Sequence, residues 1–236
     1  MSDKDWDAPF DFDAKYGEGY DLLIRAILPG YEDLFPTTVG ILSEAVPEKG
    51  LVLVVGCGTG SELKALATLQ PDWQITGVDP SPSMIHTCRK KLQGHPHLTL
   101  HEGFLQSLSS DCVFDGSTAI LVMHFIEGDE AKLAFLRQIR ARLCPKAIHI
   151  HLDAVAHPGG KGWDTMMRSW KRISLSLGLP EARWDSLQQQ IKVGLFRVNE
   201  TRMEELFREA GFIEIQRFWM SLHHTGWLMR AGGLSL

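Results

Sequence analysis

The chain predicts an α/β fold: an open sheet of seven strands, mostly parallel, closed by an antiparallel hairpin at its C-terminal end. Three observations carry this. Leu51-Val52-Leu53-Val54-Val55 is a continuous apolar run, the pattern of a strand covered on both faces of a parallel sheet. It leads straight into Gly56-Cys57-Gly58-Thr59-Gly60, where glycines permit a tight turn and let the backbone approach a ligand closely. Apolar runs and helical stretches then alternate to about Asp153, the order of a parallel sheet with right-handed crossovers.

Residues 1–49 read as an N-terminal helical arm. Its first part carries Asp3, Asp5, Asp7, Asp11 and Asp13 with Phe10, Phe12 and Tyr16 interleaved, a terminal stretch that gains order only by docking. A helix follows over 21–28, stopped by Pro29-Gly30, and a second over 32–45 carries Leu34, Val39, Ile41 and Leu42 on one side. Both are expected beside the mouth of the ligand site. The body, 50–236, has strands near 51–55, 73–78, 97–101, 114–122 and 147–152. Its first helices fall near 60–69, 82–92 and 129–143. Ser81 is the expected N-cap of the helix that begins at Pro82.

Residues 154–198 break the alternation and read as an inserted lid. His157-Pro158-Gly159-Gly160 is a loop, and helices are expected over 163–177 and 180–194. Trp163, Trp170 and Trp184 line an acceptor pocket or form the lid's own core; the sequence leaves both open. The last helix spans 200–210, with Asn199 as N-cap and Gly211 just past its end. Residues 211–219 and 222–229 form the closing hairpin, where Trp219 and Trp227 would support a homodimer.

Composition sets limits. The length of 236 residues suits one domain with an insert, and 44% hydrophobic content suffices for a large core. A net charge of −5 argues against nucleic acid as a partner. No apolar run is long enough to cross a membrane, and the acidic start has no secretory core. Cys57, Cys88, Cys112 and Cys144 form no Cys-x-x-Cys pair, as expected for reduced thiols in a cytoplasmic protein. Basic residues prevail between 161 and 197, which reads as a solvated face or as a cap favouring an anionic acceptor.

The ligand is read from the loop and from Asp79. An acid at the end of the second strand accepts hydrogen bonds from ribose hydroxyls, which points to an adenosine-containing cofactor. The nicotinamide fingerprint wants a third glycine where Ser61 stands. The spacing Gly56-x-Gly58-x-Gly60 instead resembles motif I of the class I S-adenosylmethionine-dependent methyltransferases. Val78-Asp79-Pro80-Ser81-Pro82-Ser83-Met84, Phe114-Asp115 with Ala119 to Phe125, and the closing hairpin resemble the same family. The resemblance implies a Rossmann-like fold, S-adenosyl-L-methionine as cofactor, and methyl transfer to a small-molecule acceptor. It places Gly56, Cys57, Gly58, Thr59, Gly60, Asp79, Pro80 and Met84 against the cofactor.

Within that family, Ile27-Leu28-Pro29-Gly30-Tyr31 resembles the carboxy-S-adenosylmethionine synthase group, which implies that Tyr31 reaches the cofactor. Two positions depart from that group. Its adenine-binding acid falls at Phe104, between Gly103 and Leu105, and its asparagine after the fourth strand falls at Ile120. All four are still expected at the site. No arginine matches the one that holds the extra carboxylate there; Arg183 is near but aligned by no motif. Ordinary methyl transfer is therefore the preferred reading. The alternatives are a carboxylated cofactor serving tRNA wobble-uridine modification, and cofactor binding without turnover. A nicotinamide oxidoreductase is disfavoured by Ser61 and the hairpin.

A methyl on a sulfonium is already activated, so the protein mainly aligns the acceptor; a base is needed only when the nucleophile arrives protonated. His124, just past the fourth strand, is the candidate base, with His223 and His224 behind it. His149, His151 and Asp153 alternate along the fifth strand and share one face. Same-face neighbours lie about 6–7 Å apart, too far to converge on one ion. No metal is expected, and the histidines read as a buried pair.

Overall fold

A computed structural model describes residues 16–109 and 113–233. The acidic stretch 1–15 and Cys112 lie outside the described residues. The seven strands are β1 (Leu51–Val55), β2 (Gln74–Asp79), β3 (Leu98–Glu102), β4 (Phe114–Ile120), β5 (Leu143–Ala154), β6 (Phe212–Ser221) and β7 (His224–Ala231). They form one sheet in the order β3-β2-β1-β4-β5-β7-β6, parallel from β3 through β5 and antiparallel on both sides of β7. The order reverses between β1 and β4, so the crevice that binds ligands in such sheets opens where those two strands end. The register there pairs Val55 with Val78 on one side and with Ala119 on the other.

The helices that cover this sheet begin where the sequence supplies caps. Helix α4 (Pro82–Lys91) is capped by Ser81, whose side chain accepts from the amide of Met84. Helix α8 (Glu200–Glu209) is capped by Asn199, which accepts from Arg202 N at 2.8 Å. Helices α3 (Ser61–Leu69) and α5 (Asp129–Ala141) complete the crossovers. Helices α1 (Tyr16–Ile27) and α2 (Tyr31–Ser43) form the arm, with α1 starting earlier than the sequence suggested. Strand β5 also starts earlier, at Leu143, and reaches its main register past Lys146 at φ 66°, a kink that accompanies the register shift against β4. Strand β4 stops at Ile120, short of 122, because Leu121 takes φ 61° and leaves the ladder.

The lid consists of α6 (Lys161–Ser176) and α7 (Glu181–Gly194). Trp170 and Trp184 meet edge to face at 5.3 Å and are both buried, so they form the lid's core. Trp170 Nε1 also donates to Ile27 O at 2.7 Å, which fastens the lid to α1. Burying a ring of this size removes on the order of 200 Å² from water and contributes about 5 kcal/mol before entropy losses. Trp163 instead stacks on His157 at 4.4 Å.

The hairpin requires a correction. Trp227 is not at an edge: β7 lies between β5 and β6, and the indole is fully buried against Phe207 at 5.5 Å. It is therefore excluded from any pairing surface. His149 and His151 are core residues. His149 Nδ1 lies 2.8 Å from Ser117 Oγ and its ring stacks on Phe212, while His151 meets Phe207 edge-on.

Candidate functional site

The glycine loop leaves β1 as a set of hydrogen-bonded turns. The amides of Gly56 and Cys57 both donate to Val78 O, at 2.7 and 3.0 Å, tying the loop to β2. Gly56 has φ 69°, and a Cβ there would meet Val122 Cγ2 at 2.4 Å. Gly60 has φ 84°, and a Cβ there would meet Cys88 Sγ at 2.6 Å. Both positions combine a left-handed backbone with no space for a side chain, which only glycine satisfies.

Asp79 fixes the loop from the neighbouring strand. Its Oδ2 accepts from Gly58 N at 2.8 Å and its Oδ1 from Ser81 N at 2.9 Å. Its carbonyl accepts from Gly103 N at 2.9 Å. One residue thus holds three loops at the strand ends. A carboxylate offers about four acceptor positions, enough for these amides and for sugar hydroxyls as well.

Above these loops lies a cavity of about 540 Å³, within the range of small-molecule sites. Gly56, Cys57, Gly58, Thr59 and Asp79 line it, and so do Pro80 and Met84. Gly103, Phe104 and Leu105 form its outer wall, with Phe104 68% exposed, and Ile120 stands at the end of β4. The arm contributes Tyr20, Tyr31 and Phe35. Gly60 is not a lining residue; its role is the turn into α3. Arg183, on α7, is also absent from the lining. Among the described residues that line the cavity, two are acids, Glu62 and Asp79, and none is Lys, Arg or His.

The sequence reading missed Glu62. It sits in the first turn of α3, and it is 7% exposed. Burial pushes its carboxyl up to about 7, with Thr118 partly opposing. The available signal was its spacing: Glu62 stands four residues before Leu66 on the helix's inward stripe, where an apolar side chain belongs. A second omission is the bolt that fastens α1 to the loop. Asp21 accepts from Thr59 Oγ1 at 2.6 Å and pairs with Lys91 Nζ at 2.5 Å. Burial opposes the Asp21 charge, and the bonds from Lys91 and Thr59 outweigh it and lower its pKa. Cys57 is a packing residue: Cys88 and burial push its thiol well above the ordinary value, which makes it a poor nucleophile.

His124 is not in the main cavity. It lines an adjacent chamber of about 50 Å³ under the lid, together with His223, His224 and Trp170. Tyr20, Leu121 and Phe125 belong to both spaces and form the wall between them. Leu121, at positive φ, is held there by its amide's 2.7 Å bond to Leu152 O. A non-glycine residue in that conformation stores strain, which clusters at functional sites. His124 Nδ1 contacts Asp153 Oδ1, an oxygen that also accepts from Ala154 N at 3.1 Å. Burial opposes the charge on Asp153, and His124 and His151 outweigh it and hold the carboxyl well below the usual carboxylate range. His224 is pushed down to about 3, first by burial and then by His124; His223 is lowered for the same first reason.

A family profile described as a methyltransferase domain matches residues 53–149, the stretch from the first strand through the fifth. The carboxy-S-adenosyl-L-methionine synthase of Campylobacter fetus subsp. fetus is 24% identical over 211 residues, covering 88% of this chain and 88% of that protein. The protein of the same name from Alteromonas mediterranea is 22% identical over 225 residues, covering 92% and 90%. Among solved structures, an amino pentose methyltransferase from Micromonospora echinaspora, with S-adenosylmethionine bound, superposes with a TM-score of 0.62 at 17% identity. The match covers 90% of this chain and 96% of that one. Human N-acetylserotonin methyltransferase superposes with a TM-score of 0.59 at 17% identity, covering 94% and 59%. The chain has the class I S-adenosylmethionine-dependent methyltransferase fold, with a partial resemblance to the carboxy-S-adenosylmethionine synthases.

Proposed function

We propose that this chain, which has the class I methyltransferase fold, binds S-adenosyl-L-methionine in the 540 Å³ cavity and transfers its methyl group to a small-molecule acceptor held under the lid. The observation that carries the reading is the charge of the cavity wall: two acids and no base among the described lining residues. A dinucleotide brings a pyrophosphate and needs donors or cations around it. A sulfonium nucleoside brings positive charge and suits an acidic wall.

The residues divide the work by position. Asp79 would accept from the ribose hydroxyls while holding the glycine loop. Phe104 and Leu105 would sandwich the base against Met84, so base recognition rests on stacking and backbone groups. Tyr31 closes the side nearest α2. The cofactor supplies a methyl already activated by its sulfonium. What remains for the protein is to hold an acceptor in line with it, at the boundary where Tyr20, Leu121 and Phe125 line both spaces. When bound, S-adenosylmethionine would supply a methyl group to the acceptor's lone pair, the electrons of the methyl–sulfur bond staying on sulfur as a neutral thioether. Where the acceptor carries a proton, His124 takes it, with Asp153 balancing the charge.

A second reading, formation or use of a carboxylated cofactor, is favoured by the names of the relatives matched over most of the chain. Such a ligand adds an anion beside the sulfonium. The same acidic wall offers it no partner, so the methyl reading is preferred.

Calorimetry on ligand-stripped protein tests the cofactor. S-adenosylhomocysteine should bind and NAD should not; NAD binding alone would overturn the reading. With a turnover assay from a metabolite screen, His124→Gln should cut S-adenosylhomocysteine release by about 10²-fold or more. His223→Gln should cost no more than a few-fold, and equal losses would remove His124 as the base.

A further inference from the structure

The cavity contains a charge that the reading above does not use. Glu62 projects from the first turn of α3 toward the sheet and lines the cavity. Its Oε1 is buried with no hydrogen-bond partner, and so is Thr118 Oγ1 beside it. The titratable or polar groups that face it are Tyr31 from α2, Thr118 from β4 and Cys57 from the glycine loop. None is a cation. A carboxylate in this position has no counter-charge, and the Thr118 hydroxyl only partly offsets its burial, a costly state unless the group protonates or a ligand supplies a charged donor.

We propose that Glu62 is the counter-charge for the α-ammonium at the methionyl end of the bound nucleoside, and that it gives up its proton when that ammonium arrives. The inference rests on the cofactor reading above and names the residue that recognises the amino-acid end. The ligand's chemistry and the place of Glu62 select the ammonium over the sulfonium. A sulfonium carries no N–H or O–H, so it cannot satisfy an orphaned carboxylate oxygen; an ammonium donates three bonds. Glu62 also lies in the first turn of the helix that follows the glycine loop, close enough to Cys57 to act on its thiol, where the resemblance to the family places the methionyl end.

The raised pKa of about 7 makes the coupling visible near neutrality. Without ligand, about half the Glu62 side chains are protonated at pH 7. An ammonium within hydrogen-bond reach favours the carboxylate, so binding expels about half a proton at that pH and closer to a whole one at pH 6. The affinity for any ligand with the ammonium therefore rises with pH through this window and levels off above it.

The test compares S-adenosylhomocysteine, which has the ammonium but no sulfonium, with methylthioadenosine, which has neither. Both are titrated calorimetrically into wild type and Glu62→Gln, in two buffers of different ionisation enthalpy. The substitution should weaken S-adenosylhomocysteine at least tenfold and leave methylthioadenosine within twofold. Wild type should release protons with S-adenosylhomocysteine and not with methylthioadenosine, and this arm needs no variant at all. Equal weakening of both ligands would make Glu62 a shape-giving residue and overturn the proposal. So would unchanged affinity or absent proton release with S-adenosylhomocysteine. Wild type that binds neither nucleoside would instead remove the cofactor reading itself.

Discussion

Replacing Glu62 by Gln should make the ligand-free protein more stable, and the gain should grow with pH. The carboxyl rises from 4.5 to about 7 on folding, and burial is the main cause. The folded state therefore holds a proton that the unfolded chain releases between those two values. A group raised in this way favours folding below its unfolded pKa, and that contribution is lost as pH climbs through the folded one. At about 1.4 kcal/mol per unit, the full shift corresponds to about 3 kcal/mol above pH 7. At pH 5 only about 1 kcal/mol of it has developed. Glutamine keeps the shape and removes the charge, so it escapes the penalty. For a chain of this size about 3 kcal/mol amounts to roughly 6–12 °C in Tm.

Thermal and urea unfolding of both proteins at pH 5, 6, 7 and 8 measure this directly. The gap should open steadily and then flatten above pH 7. Saturating S-adenosylhomocysteine should close much of it, because the ammonium removes the penalty that glutamine avoids. A gap that does not vary with pH, or a wild type that is the more stable at pH 8, would refute the burial argument.

Three further outcomes follow from the same geometry. Asp79→Ala should weaken S-adenosylhomocysteine more than tenfold in calorimetry and lower the stability by about 1–3 kcal/mol, since the amides of Gly58 and Ser81 lose their acceptor; unchanged affinity would remove Asp79 from the site. Trp170→Phe should cost about 1–3 kcal/mol by stranding Ile27 O and speed proteolysis within 161–194, while cofactor affinity stays within twofold; a tenfold loss of affinity would show that the lid shapes the main cavity. His224 has a pKa pushed down to about 3, so the unfolded chain binds the extra proton and stability falls as pH drops below about 6.5. His224→Gln should reduce the loss between pH 7 and 5 by about 2 kcal/mol in urea titrations; an unaltered slope would contradict its burial as a neutral ring.

What was legible in the sequence was local. The apolar run before Gly56, the two caps at Ser81 and Asn199, and the acid at the end of the second strand each follow from a few adjacent residues. The glycine loop, Asp79 and Ser81 line the cavity at the strand ends, while Gly60 and His124 do not. What escaped depends on residues that only folding brings together. Asp21 meets Lys91 across 70 positions, and Glu62 faces Thr118 only because β1 and β4 are neighbours. Trp227 was placed at an edge because its hairpin comes last in the chain. Spatial order differs from chain order, and inserting β7 beside β5 buries the very face that was expected to pair.

The two spaces differ in how they treat charge, and the difference supports His124 as the proposed base. In the main cavity the acids stand without cations, so it favours a positive ligand. The smaller chamber is lined by three histidines, and Asp153, whose carboxyl is held well below the usual carboxylate range, lies buried behind His124. Burial keeps His223 and His224 from taking a proton. His124 alone among the three touches the carboxylate. On the proposed reading, a proton leaving an acceptor beside Leu121 would go to His124, since protonating His124 creates an ion pair, whereas protonating either neighbour creates an isolated buried cation. At about 50 Å³ the chamber has room for hardly more than a water molecule. On the proposed reading an acceptor makes its own space by displacing α7 side chains such as Ile191, which would place acceptor specificity in the lid and cofactor specificity in the sheet.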